Sequence, residues 1–148
     1  MPAPLLPSAP TLENSLARVW FLDDSATVVD QVLSPSMDLA TADFLAGDVQ
    51  ALVEQRYTSK GRLVRYLHDW RSCTGYEVAA RDRLLEWGKT GRALTAETII
   101  GIAPGASPFV QIALSTGTFV MRRLGMKISV VPDLDVVLEG ITKPARTA

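Results

Sequence analysis

The chain has 148 residues, of which 47% are hydrophobic and 21% charged, with a formal net charge of -1. This is the balance of one globular domain with enough apolar residues for a core. No Lys/Arg-rich stripe advertises nucleic acid, and the single Cys excludes an internal disulfide.

The start, MPAPLLPSAP, carries Pro2, Pro4, Pro7 and Pro10. Proline removes backbone donors and disfavours helix, so residues 1–14 read as a flexible arm. They lack the basic segment and apolar run of a secretory signal. No apolar stretch reaches the roughly 18 residues that span a bilayer. With the lone Cys suggesting a reducing compartment, the expectation is a cytoplasmic protein with no membrane partner. The ordered domain is expected over 15–142, with a frayed tail at 143–148.

Residues 16–34 predict a hairpin: LARVWFL, a DDSA turn, then TVVDQVLS rich in β-branched residues. Pro35 ends it. A helix is expected over 42–57, capped by Thr41, with Asp43 in its first turn. Leu45, Val49 and Leu52 lie along one side, and Gly47 suggests a close approach to the sheet. RLVRYLHDW at 62–70 reads as a strand, with Val64, Tyr66 and His68 sharing one face. Thr74 and Glu77 match a T-x-x-E capping box for the next helix. Its stripe is Tyr76, Ala80, Leu84 and Trp87, and Gly88 is its stop. Ile99, Ile100 and Ile102 predict another strand, ended by Pro104 and Gly105. Ser107 caps a further helix with Pro108 at its first position. That helix is apolar nearly all round, from Val110 to Met121, and Gly125 closes it. KISVV is the last strand, and Asp133 caps a short final helix.

The order is β-β-α-β-α-β-α-β-α: an α/β domain with a five-stranded mixed sheet and about four helices. This order, over about 16–140, resembles the STAS domain, in the branch of the anti-sigma factor antagonists and their SpoIIAA-like relatives. The family's D-S-S-G-L-like turn is similar to Ser72-Cys73-Thr74-Gly75-Tyr76 here, with Ser72 at the usual Asp position. The resemblance implies a STAS-like fold, and it puts the family's phosphorylated hydroxyl on Thr74.

Several residues carry a plain and a sharper reading. Thr74 is a helix cap or a phosphoacceptor, where phosphate at a helix start is favoured and Arg71 is near in sequence. His68, Asp69, Arg71, Ser72, Cys73 and Gly75 gather at a strand's C-terminal end, where α/β sheets bind ligands or anions. Cys73 and His68 make a nucleophilic pair only if they come within reach; otherwise Cys73 is a small buried hydrophobe. One Cys, one His and scattered acids lack metal-ligand spacing, so no metal or cofactor is expected. GIAPGASP at 101–108 departs from both phosphate-binding glycine motifs and reads as turn and cap. Trp20, Trp70 and Trp87 are dispersed and read as core or interface packing.

The first expectation is therefore a non-enzymatic regulatory or protein-binding module of STAS type, a partner-switch component. Its protein partner is unidentified, and the apolar helix at 108–124 is the candidate surface for a homo-oligomer. The alternatives are a small hydrolase or acyl-transfer enzyme using Cys73 and His68, and a carrier of a small apolar ligand.

Overall fold

The computed structural model describes residues 2–142. It is an α/β structure, and the expected element order appears in it. The hairpin is β2 (Ala17–Leu22) and β3 (Thr27–Val32), antiparallel, with Trp20 opposite Val29. The turn between them closes through Ala26 in the left-handed region, at φ 49°. From β3 onward the sheet is parallel: β3 pairs with β5 (Val64–Asp69), β5 with β7 (Thr95–Gly101), and β7 with β8 (Ile128–Val131).

With a first strand, β1 (Leu12–Glu13), the sheet has six strands rather than five, in the order β1-β2-β3-β5-β7-β8. This extra strand pairs antiparallel with β2. It comes from the segment expected to be a loose arm, which here makes specific contacts with the sheet. Leu6 is buried on the sheet. The Trp20 Nε1–H donates to Ser8 O at 2.9 Å, and the Gln31 amide donates to Ala3 O at 2.8 Å. Side chains of the hairpin thus engage carbonyls of a segment whose prolines keep it out of regular structure. The expected frayed tail at 143–148 lies outside the described residues.

Each parallel strand is added on the same side of its predecessor, so right-handed crossovers bring successive helices to one face. That face carries α1 (Leu39–Asp43), a π-helical stretch Phe44–Val49, α2 (Gln50–Arg56), α3 (Val78–Gly91) and α4 (Pro108–Arg123). The last helix, α5 (Leu134–Thr142), lies on the opposite face. There Leu134 and Leu138 join Leu6, Trp20, Val29, Leu67 and Ile99 in a separate core. Gly101 permits this, because a Cβ there would stand 2.9 Å from the Cβ of Leu134.

Four local expectations are corrected. Asp38, not Thr41, caps the first helix: its Oδ1 accepts from the Thr41 amide at 2.8 Å and the Thr41 hydroxyl at 2.7 Å. Gly47 faces open space and makes no close approach to the sheet. The T-x-x-E box is not formed, because Gly75–Tyr76 (β6) instead pairs parallel with Ser36–Met37 (β4). Helix α3 then starts at Val78 without a side-chain cap, and the Glu77 carboxylate accepts from the Leu39 amide across the gap. Gly88 does not stop α3, which runs to Gly91. The Ser107 cap is formed, with its Oγ accepting from Val110 N at 3.3 Å. Asp133 Oδ1 likewise accepts from Val136 N at 3.3 Å.

Candidate functional site

The helix-rich face is not evenly filled. Under α1 and α2 the core is closed, but between α3, α4 and strands β5, β7 and β8 two neighbouring cavities remain. One is about 130 Å³, walled by Leu84, Leu85, Val110, Leu114 and Met121 among others. The other is about 80 Å³ and lies over His68, Thr98 and Trp87. Trp70, Leu84, Ile100, Met121 and Ile128 border both, so they are two lobes of one cleft.

The sequence makes this cleft in a direct way. Val110, Ala113, Leu114, Gly117, Thr118 and Met121 of α4 turn toward it, following the three-and-four spacing of one helical face. Ala113, Gly117 and Thr118 put little bulk into it. Three large residues point the other way: Phe109 is 75% exposed, Ile112 64% and Phe119 60%. The helix that is apolar all round thus spends its bulk on the outside. Gly88 completes the arrangement, since a Cβ there would lie 2.2 Å from the Met121 methyl. Met121 stands at the junction of the lobes because α3 has no side chain at that point.

The floor of the smaller lobe is an aromatic ladder. Alternation along β5 and its extension puts Tyr66, His68 and Trp70 on the same face. The His68 ring stacks on Tyr66 at 5.7 Å and on Trp70 at 5.0 Å, with Trp87 of α3 5.8 Å away. Two polar residues, the buried Asp30 and the half-buried Gln50, tie the ladder together. Asp30 of β3, paired in register with His68, accepts a short hydrogen bond from His68 Nδ1 and another from Trp70 Nε1 at 3.3 Å. Gln50 of α2 accepts from the Tyr66 hydroxyl at 3.1 Å and from Trp87 Nε1 at 2.8 Å. Burial, with Asp30 and Glu54 nearby, pushes the Tyr66 phenol well above its ordinary range, so it remains a donor.

The residues expected to form one site divide among several places. His68 is buried, 4% exposed, on the cleft floor. Asp69 points to the opposite face, where its carboxylate takes Arg71 Nε at 2.9 Å and Nη2 at 3.1 Å. Arg71 also reaches Asp135 of α5 at 3.5 Å, and Asp69 holds its guanidinium above the usual pKa. Cys73 is buried on the wall of the larger lobe, and its Sγ faces Ser34 O at 3.8 Å. Burial, reinforced by Asp30, Asp69 and Asp38, pushes its thiol up to about 12. A thiol so placed stays protonated. Cys73 and His68 share no hydrogen bond, and the imidazole is already held by Asp30.

Thr74 is exposed, and its hydroxyl donates to Pro35 O at 3.1 Å. It lies outside any helix N-terminus, so the helix-start argument for a phosphate there does not hold. Ser72 is half-buried in the turn, and Gly75 lines the larger lobe. Among the described residues no group of His, Cys, Asp and Glu is arranged to hold a metal ion. No described helix is long and apolar enough to cross a membrane.

Reasoning on the sequence missed Asp30, Gln50 and the convergence of Trp70 and Trp87 on His68. The available signal was Asp30 itself, a carboxylate set inside TVVDQV, whose six positions are all buried. A buried carboxylate demands a partner, and the single His was the candidate. Comparison with protein-family models, characterised proteins and solved structures gives no match for this chain.

Proposed function

We propose that this domain binds a small apolar molecule in the cleft between α3, α4 and the sheet, as a carrier or sensor without chemistry of its own. The observation that carries the reading is the cleft itself. A cavity of about 130 Å³ is close to the size that holds a benzene-like molecule in an apolar interior, and the second lobe extends it. The walls are aliphatic and aromatic, with few polar groups, as in small-molecule sites generally. Cys73 is no activated nucleophile here, which favours binding over acyl transfer.

The test is a fluorescence titration with N-phenyl-1-naphthylamine, comparing the native protein with Ala113→Trp, which fills the larger lobe. Saturable binding to the native protein, lost in the folded variant, supports the cleft. Equal binding by both places the dye elsewhere and removes the reading.

The outer face of α4 favours a second reading, the STAS-type interaction module. Phe109, Ile112 and Phe119 are all more than half exposed on one helix, and such surface in a monomer marks a contact site. The two readings are compatible, since α4 is both the wall of the cleft and the bearer of that face. Sedimentation of Phe109→Ser/Phe119→Ser beside the native protein tests self-association. A native monomer at high concentration removes the homo-oligomer.

A further inference from the structure

The smaller lobe contains an accounting gap that says what kind of apolar molecule fits. Six of its lining residues carry polar side-chain atoms: Tyr66, His68, Trp70, Trp87, Thr95 and Thr98. The Tyr66 hydroxyl and the Trp87 indole N–H are tied to Gln50, and the Trp70 indole N–H to Asp30. The Thr95 hydroxyl donates to Gly91 O at 2.8 Å. His68 uses Nδ1 on Asp30, and among the described residues its Nε2 has no hydrogen-bond partner; neither has the Thr98 hydroxyl. Yet among the described residues no fully buried side-chain nitrogen or oxygen lacks a hydrogen bond. His68 is 4% exposed and Thr98 7%, so what little surface these atoms keep opens into the lobe they line.

An ionised Asp30 carboxylate, 1% exposed, can only accept, so Nδ1 carries a hydrogen, and in the neutral ring Nε2 presents a lone pair. Stacking between Tyr66 and Trp70 fixes the ring plane. The same carboxylate disfavours a second anion in so dry a place. What suits the site is a neutral donor at the end of an apolar body.

Resting on the cleft reading above, we infer that the ligand is a neutral, largely apolar molecule bearing one hydroxyl. The hydroxyl donates to His68 Nε2 in the smaller lobe, with Thr98 beside it, and the apolar remainder passes Met121 into the larger lobe. His68 is a binding residue and Asp30 its positioning residue, holding the tautomer that accepts.

Removing His68 would strand a buried carboxylate and threaten the fold, so the ligand is varied instead. The native protein is titrated with 2-naphthol and with its methyl isostere, 2-methylnaphthalene. The chain has a single His, so the imidazole ¹⁵N resonances need no assignment. The expected result is that 2-naphthol binds about tenfold more tightly, the worth of one buried hydrogen bond, and moves the Nε2 resonance while the hydrocarbon does not. Equal affinities with both imidazole resonances unmoved overturn the anchor but leave the cleft standing. Binding of neither compound overturns the cleft reading and the anchor with it.

Discussion

The two halves of the helix-covered face are built from similar apolar content and packed differently. Under α1 and α2, Val19, Val28, Leu45, Val53 and Val64 are each 0% exposed, and all six residues of β3 are buried. Under α3 and α4, every residue of β8 is only half-buried, and α3 buries a single residue, Ala80. The difference does not come from a shortage of large side chains. It comes from their direction: the π-helical stretch and α2 point Leu45, Val49 and Val53 inward, whereas α4 points Phe109, Ile112 and Phe119 outward and has Ala113 and Gly117 among its inward positions. Composition fixes how much core a domain can have, and the phase of each helix fixes where it is complete. The closed half is a scaffold, and the open half has room for another molecule.

Substitutions on the two sides should differ most in stability. Leu45→Ala leaves a void in a region with no slack, and a loss of about 2–5 kcal/mol is expected in urea denaturation. Phe119→Ser, although it removes a larger side chain, should change stability by less than about 0.5 kcal/mol. Comparable losses at both positions would erase the distinction between the halves.

The closed half also depends on how its first helix is capped. Asp38→Ala should cost about 1 kcal/mol. The hydroxyl and amide of Thr41 hold the Asp38 carboxyl below its ordinary pKa. Its contribution is therefore present above the unfolded value, near 3.9, and fades as the pH falls through the lower folded value. The native protein should lose that increment in acid, and Asp38→Ala should show a flatter acid limb. An unchanged limb in the variant would remove Asp38 from the acid response.

The smallest effect should have the opposite sign. A Cβ at Gly117 would meet the Leu85 Cδ2 at 3.5 Å, an ordinary contact. Gly117→Ala should raise stability by about 0.5–1 kcal/mol through the backbone while narrowing the larger lobe. A destabilised variant would mean that α4 already sits tightly at this point.

Much of the scaffold was legible because it is written locally. The hairpin, the strand at 64–69, the cap at Ser107 and the final helix follow from alternation, helical spacing and turn residues. What escaped was decided by partners distant in sequence. The prolines of the first segment spoke against helix, but Trp20 and Gln31, which hold its carbonyls, are known as neighbours only in the fold. Thr74 and Glu77 have capping-box spacing, yet pairing of β6 with β4 draws the chain into extended form and gives Glu77 to Leu39 instead. The site shared this fate. His68 stood out in the sequence, but its partner Asp30 is matched to it by strand register, and Trp87 reaches it from the next helix. Cys73, near it in the chain, belongs to a different wall.

The most direct test of the central claim is methyl NMR of the native protein titrated with 2-naphthol. Shifts are expected at Leu84, Leu85, Ile100, Val110, Met121 and Ile128, with Leu45, Val53 and Leu138 unmoved. Shifts confined to Ile112 and its exposed neighbours, or no saturable shifts at all, would contradict a ligand seated between α3, α4 and the sheet.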